Sequence, residues 1–559
     1  MIEKNYEETG EPGSDEIIFV PLGGTGEIGM NLNLYGHAGK WLMVDLGITF
    51  DDGRTPGVDV IMPDPAFIEE RRENLAGLVL THAHEDHLGA VQYLWEGYDC
   101  PIYATPFTAA ILRRKLQENG FASLPEIIEI PMSGHFQVGP FDIELVTLTH
   151  SIPEPNALII RCAAGTVMHT GDWKLDPDPK VGPTTDEAAL IRAGEEGVLA
   201  MVCDSTNAMN PGHSGSEGSV RDNLVELVGT LKGKVAVACF ASNIARIESA
   251  VKAAEACGRR VALVGRSMHR MTEAARETGY LTDLPTFLPD DEVDRLPPDK
   301  VLLICTGSQG EPRAALSRIA RDDHPTISLG EGDTVIFSSR EIPGNEIGIA
   351  RLQNQLTELG CTIITAREHD IHTSGHPNRG ELTQMYQWIR PSIAVPVHGE
   401  IRHLTAHAEL AQECQVPHTI VPFNGDVLRL SKTDGVTVVD EVYAGRLALD
   451  GDRLVPFDSH GIRERRQIAW NGCAVVSVTL DRRGELAAQP AVTVFGLFDP
   501  VDSDKDGLVA AVERAIGKAG AKARADNKQI EEAVRVSVRR ELQTITGKRP
   551  PVSVHVARI

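Results

Sequence analysis

The run His82-Ala83-His84-Glu85-Asp86-His87 stands directly after the apolar stretch LAGLVLT of residues 75–81, and its reading decides the fold. Four side chains of metal-ligand type within six positions cannot all be buried and satisfied by ordinary packing. Alternate residues of an extended turn project to one side, so His82 and His84 can share one cation while Asp86 and His87 turn toward a second. Two cations need more ligands than one loop supplies, and the others should come from further strand ends. His150, closing FDIELVTLTH, and Asp172, in HTGDWK, are the candidates. A lone histidine at a strand end is ordinarily structural; the order HxHxDH, His, Asp along one chain reverses that. Asp172 is the natural bridge, because a carboxylate can give one oxygen to each cation. Asp45, in KWLMVDLG, is expected to orient a ligating imidazole rather than to bind metal itself.

Outward from this cluster, several short β-rich runs each end in a polar group, which is how a sheet-based hydrolase builds a site. A different regime starts near Gly218. KVAVACF, RVALVG, KVLLICTGSQG and DTVIFSS alternate with helical stretches such as NIARIESAVKAAEAC and NEIGIARLQNQLTELG, a βα repetition that implies a parallel sheet covered by helices. IAVPVHGE then places His398 just past another strand. The tail holds NGCAVVSVTLD, AVTVFGLF, a helical stretch from Leu508 to Thr544 and a last strand, PVSVHVARI. The expected organisation is an α/β chain with a first catalytic part over residues 1–217, an inserted α/β domain over 218–371, a second catalytic part and linker over 372–455, and a small α/β C-terminal domain over 456–559.

Composition narrows the class. The chain has 559 residues, 42% hydrophobic and 24% charged, which is ordinary for several packed globular domains. No apolar run approaches the roughly 20 residues that span a bilayer, and the acidic N-terminus is unlike a signal peptide, so a cytoplasmic protein without membrane contact is expected. Nine cysteines lie singly, with no CxxC, and read as reduced thiols. A net charge of −25 argues against a general nucleic-acid coat protein, because phosphate backbones are bound through local cation surplus. Action on RNA therefore requires a local basic channel. From Ala511 onward the chain leans basic, with eleven Lys/Arg against five Asp/Glu.

Two motifs point elsewhere and are set aside. Gly24-Thr25-Gly26-Glu27-Ile28-Gly29 fits GxGxxG, but a strand-like hairpin follows where a dinucleotide site needs a helix N-terminus. Asp502, Asp504, Asp506, Gly507 and Glu513 fit an EF-hand loop, but AVTVFGLFDP before them is strand-like and Pro500 argues against an entering helix.

With these residues in place, HxHxDH, His150 and Asp172 resemble motifs one to four of the metallo-β-lactamase fold, and that resemblance implies an αββα sandwich. Asp204 in VCDST, His376 in HTSGH and His398 in PVHGE, set around the α/β insert, resemble the β-CASP nucleases, in which the last histidine ligates metal and favours RNA over DNA. The LGGTGEIGMN opening, TGSQGEPRAAL, SGH and PVHGE further resemble the ribonuclease J family over about residues 17–430. Pro377-Asn378 departs from the small pair expected after SGH.

The resemblance implies two Zn2+ per chain on His82, His84, Asp86, His87, His150, Asp172 and His398, with Mn2+ or Mg2+ as alternatives; mixed imidazole and carboxylate ligands suit zinc without excluding manganese. Asp86, Asp204 and His376 become catalytic candidates, with His376, near its reference pKa, stabilising or protonating the leaving group. Ser242, Asn243, Ser308, Gln309, His372, Ser374, Gly375 and His376 become RNA contacts. The implied activity is 5′–3′ exonucleolytic with endonucleolytic cutting besides, preferring 5′-monophosphorylated RNA. A homodimer through the C-terminal domain and a place in an RNA-decay complex are also implied. Two alternatives remain: an RNA 3′-processing endonuclease with the same core, and a non-catalytic RNA-binding subunit.

Overall fold

A computed structural model describes residues 12–51, 53–119, 121, 124–498 and 505–559. Asp502 and Asp504 of the EF-hand-like run lie outside them. The described residues form two compact units, one holding residues up to Phe50 and Ile61–Gly445, the other Asp51–Val60 and Arg446–Ile559.

The first unit is built on two facing sheets. One has eight strands in the order Gly435–Glu441, Asp426–Ser431, Ile17–Gly23, Leu32–His37, Lys40–Val44, Leu75–Val79, Ile102–Ala104 and Ile127–Glu129. The other has seven: His418–Thr419, Ile393–Val397, Ala200–Asp204, Gly165–His169, Asn156–Cys162, Phe141–Thr147 and His135–Val138. Side chains alternate across a strand, so in Phe141–Thr147 the buried Phe141, Ile143 and Leu145 are separated by half-buried Asp142 and Glu144. The inner faces meet in one core, with Phe19, Leu42, Val44 and Leu428 from the first sheet against Ile143, Leu158, Val202 and Val395 from the second. On its other face the second sheet buries Met168 and Met201 against Leu190, Met385 and Tyr386 of helices Glu187–Glu196 and Arg379–Ile389. Helix Pro106–Glu118 packs beside the first sheet's edge strand. This is the αββα sandwich that the resemblance implies.

The inserted domain is a five-stranded, all-parallel sheet in the order Arg260–Val264, Val301–Cys305, Val235–Ala238, Thr334–Phe337, Thr362–Thr365. Its central strands VLLIC, VAVA and TVIF are buried throughout, because helices cover both faces and leave no side for polar residues.

In the second unit, strands Ala491–Phe495, Cys473–Leu480 and Val552–Arg558 form a three-stranded sheet. Ala474, Val476, Val478 and Leu480 bury against Leu508 and Val512 of helix Lys505–Lys518 and Val534, Val538 and Leu542 of helix Asn527–Thr546. Helix His460–Asn471 has no counterpart in the sequence reading: it buries only Ile462, so no apolar period marks it. Among the described residues no helix is long and apolar enough to cross a membrane.

Candidate metal centre

The ligand-type residues cluster where strands of both sheets end. Leu75–Val79 leads to Thr81 and the HxHxDH turn, Phe141–Thr147 to His150, Gly165–His169 to Asp172, Ala200–Asp204 ends on Asp204, and Ile393–Val397 leads to His398. Three four-residue sets result among the described residues, and within each the ligand atoms lie within 4.8 Å of one another; one joins Asp204 and His376 to Asp172 and His398, and the expected ligands make up the other two, His82, His84, His150 and Asp172 in one and Asp86, His87, Asp172 and His398 in the other. Asp172 belongs to all three. Its Oδ2 is 3.8 Å from His82 Nε2 and from His150 Nε2, 3.3 Å from His87 Nε2 and 3.5 Å from His398 Nε2. His84 Nδ1 lies 3.1 Å from both His82 Nε2 and His150 Nε2.

The remaining ring nitrogens show whether this set fits cations. His150 Nδ1 donates to the Gly375 carbonyl, and His87 Nδ1 donates to Asp45 Oδ2 at 2.7 Å. Both acceptors can only accept, so each Nδ1 carries a proton and Nε2, which faces Asp172, is the ring nitrogen left to ligate a cation. Asp45 is itself held by the backbone N–H and hydroxyl of Thr81. Burial holds His82 and His150 far below the ordinary imidazole range and His84 down at about 4, so these rings stay neutral with a lone pair to give. Burial pulls His87 down too, but Asp172, Asp45 and Asp86 outweigh it and push it up. Asp172 Oδ1 and His398 Nε2 are buried without a hydrogen-bond partner, an arrangement that costs several kcal/mol unless something pairs them. Lone pairs and carboxylates converging on two buried points, with orphaned atoms between, fit a pair of divalent cations.

Beside the two sets, His376 Nδ1 lies 2.8 Å from Asp204 Oδ2. Burial would lower His376, but Asp204 and Asp172 overcome it and hold the imidazole up at about 9. The sequence reading leaves it near its reference value because Asp204 stands 172 residues away.

The RNA-contact candidates sit on three loops. Ser242 and Asn243 follow strand Val235–Ala238, Ser308 and Gln309 follow Val301–Cys305, and residues 372–376 return from the insert. Asn243 caps helix Ile244–Ala256 by accepting from Arg246 N. Gln309 is engaged by the 340–342 segment, donating to Arg340 O and accepting from Ile342 N. Ser374 Oγ accepts from Asn207 Nδ2 and from His376 N. His372, whose two ring nitrogens are buried and unpartnered, lines a cavity of about 300 Å³ with Ser308, Ser339, Arg340 and Arg367. The Pro377-Asn378 departure has a local cause, since Asn378 forms a reciprocal capping box with Glu381 at the start of helix Arg379–Ile389.

Sequence reasoning missed Asn31, Asn207, Arg340 and the buried pair Glu217–Arg246. Asn31 carries the one usable signal, its place at the end of the glycine-rich loop.

Residues 29–235 match the metallo-beta-lactamase superfamily, 232–356 the ribonuclease J beta-CASP domain, 364–422 a Zn-dependent metallo-hydrolase RNA specificity domain, and 460–559 the ribonuclease J C-terminal domain. The Ribonuclease J of Sinorhizobium meliloti is 46% identical over 552 residues, 98% of each chain. The chain belongs to the ribonuclease J family. The Ribonuclease J of Corynebacterium glutamicum is 42% identical over 86% of this chain and 67% of its own, and that of Thermus thermophilus 35% identical over 96% and 94%. A crystal structure of an Enterococcus faecalis protein of unknown function shares the fold, at TM-score 0.53 and 17% identity over 74% of this chain and all of its own. Ribonuclease J membership makes the protein a metallo-β-lactamase-fold nuclease of the hydrolase class, with RNA as substrate. The C-terminal match extends it past the motif-bearing region into the tail.

Proposed function

We propose that the protein uses two zinc ions to hydrolyse RNA phosphodiester bonds to 5′-phosphate products, working inward from a 5′-monophosphate end and cutting internally as a secondary activity. The carrying observation is the pair of four-residue sets that share Asp172. His82, His84, His150 and Asp172 would hold one ion, and Asp86, His87, His398 and Asp172 the other, with Mn2+ or Mg2+ as alternatives. Bound there, two cations neutralise phosphoryl oxygens and activate water for in-line displacement at neutral pH.

The chain's own residues do the rest. Asp204 faces His376 Nδ1 and fixes a proton there, so that the protonated ring would have its other N–H to donate to the departing 3′ oxygen. The backbone N–H groups of Ser374 and Gly375 form a nest for the 5′ phosphate, supported by the neighbouring cavity with Ser308, Arg340 and His372. A monophosphate brings about −1.5 to −2 charges and three acceptor oxygens to such a nest. A triphosphate, two phosphoryl groups longer, would extend past that nest. Ser242 and Ser308 would offer hydroxyls to the following phosphates, while Asn243 and Gln309, whose side chains and backbone N–H groups are all engaged within the protein, hold the loops that present them. The same reading places the protein in the cytoplasm, as a homodimer through its C-terminal region, with catalytic and inserted domains divided at about residues 217 and 371.

The test follows products from RNA of defined ends. Monophosphorylated RNA should be degraded faster than triphosphorylated RNA, and a 5′ label should first appear in a mononucleotide. Equal rates on both, with long internal fragments first, would show that RNA enters by its middle.

A further inference from the structure

The glycine-rich loop GGTGEIGMN of residues 23–31 supplies no metal ligand, yet it ends on a side chain that reaches only one of the two ligand sets. Asn31 is 3% exposed. Its backbone N–H and its Nδ2 both donate to the Asp86 carbonyl, at 2.9 and 3.0 Å. A carbonyl can only accept, so this contact fixes which end of the amide is nitrogen. The amide oxygen is then the atom that faces His398 Nδ1, at 3.0 Å. Because an amide oxygen also only accepts, a His398 proton must sit on Nδ1, and Nε2 is the ring nitrogen left for a cation. That Nε2 is buried without a partner, 3.5 Å from Asp172 Oδ2 and 3.7 Å from Asp86 Oδ2.

The loop's glycines make room for this. Gly24 has φ +89°, and a Cβ there would come within 2.3 Å of Asn31 Oδ1. The Gly24 carbonyl accepts from His398 N at 2.7 Å, bracing a histidine whose own φ is +52°, a left-handed conformation uncommon outside glycine. Asn31 Nδ2 also stands 3.2 Å from His87 Nε2. One amide thus touches Asp86, His87 and His398, all in the second set.

We propose that Asn31 is a positioning residue for the second ion alone: it locks His398 in the Nδ1–H tautomer and anchors the Asp86 backbone, so affinity for that ion depends on it and affinity for the first does not. The proposal rests on the two-ion reading above.

The experiment titrates zinc alone into metal-stripped, full-length wild type, Asn31→Leu and Asn31→Asp against a competing chelator, with zinc per chain read by atomic emission. Wild type should bind two ions. Asn31→Leu should keep the first unchanged and bind the second about 10–100-fold more weakly, the usual effect of losing a group that orients a ligand. Asn31→Asp, which retains an acceptor for His398 Nδ1–H but loses the amide donor to the Asp86 carbonyl, should leave the first ion unchanged and weaken the second by less than about tenfold, and by less than Asn31→Leu does. If circular dichroism shows the leucine variant unfolded, Asn31→Ser, too short to reach His398, replaces it with the same expectation. Two wild-type affinities in Asn31→Leu, equal weakening of both ions, or a loss in Asn31→Asp matching that in Asn31→Leu would each overturn the proposal. A wild type holding fewer than two ions would overturn the two-ion reading, and the proposal with it.

Discussion

Arg246→Met should destabilise the first unit more than any surface substitution, for reasons that can be counted. The guanidinium is fully buried. It meets both carboxylate oxygens of Glu217 at 3.0 and 3.1 Å, and donates to Ser338 O at 2.8 Å, Ser338 Oγ at 2.6 Å and Ile371 O at 3.1 Å. Glu217, 1% exposed, opens the helix by which the chain enters the insert, and Ile371 precedes the 372–376 loop by which it leaves. Methionine fills much of the volume but strands Glu217 as a buried, unpaired charge, a change that costs about 3–5 kcal/mol. Adding Glu217→Leu removes that charge, and the double variant should recover at least about 2 kcal/mol of the loss, since an apolar replacement of a buried pair is often neutral. Urea unfolding followed by circular dichroism gives the energies, and hydrogen exchange over residues 371–376 should quicken in the single variant. A single-variant cost under about 1 kcal/mol, or unchanged exchange in that loop, would refute the reasoning.

Other substitutions probe the site itself. His84→Ala or Asp86→Ala should abolish nuclease activity while circular dichroism stays near wild type; full activity in an Asp86→Ala protein lacking detectable metal would refute the ligand assignment. Asp204→Asn, which removes the carboxylate that holds His376 protonated, should lower kcat by about 10²–10⁴-fold with little change in zinc content, and an unchanged kcat would remove His376 from proton transfer. Gly47→Ala would place a Cβ 1.7 Å from the Asp86 carbonyl oxygen, so metal analysis should show the second ion lost before the first. A chain cut after about residue 455 should sediment as a monomer and lose activity on long RNA more than on short oligonucleotides; a persisting dimer would place the interface elsewhere.

The sequence shows the ligands because the turn from His82 to His87 concentrates them, and because His150, Asp172 and His398 each follow a recognisable apolar strand. Their supports are hidden by distance and by ordinary chemistry. Asn31 meets His398 across 367 residues and Arg246 meets Ile371 across 125, and neither an asparagine in a glycine loop nor an arginine in a helix announces a buried role. Pro377-Asn378 looks like a departure in sequence because helix capping there involves Glu381, which becomes legible only once the helix boundary is known. Helix His460–Asn471 escapes because its single buried side chain leaves no period, and the half-polar edge strand Thr362–Thr365 of the insert escapes likewise, whereas the insert's three central strands are plain because they are buried and almost wholly apolar.

The central claim, that water rather than a ribose hydroxyl attacks the phosphate at this site, has a direct test. RNA is cleaved in heavy-oxygen water and the released mononucleotides are analysed by mass spectrometry. One heavy oxygen on every newly formed 5′-phosphate, that is on each mononucleotide except the original 5′-terminal one, with 3′-hydroxyl ends throughout, is the expected result. Products ending in a 2′,3′-cyclic phosphate, or internal nucleotides released with unlabelled 5′-phosphates, would contradict it.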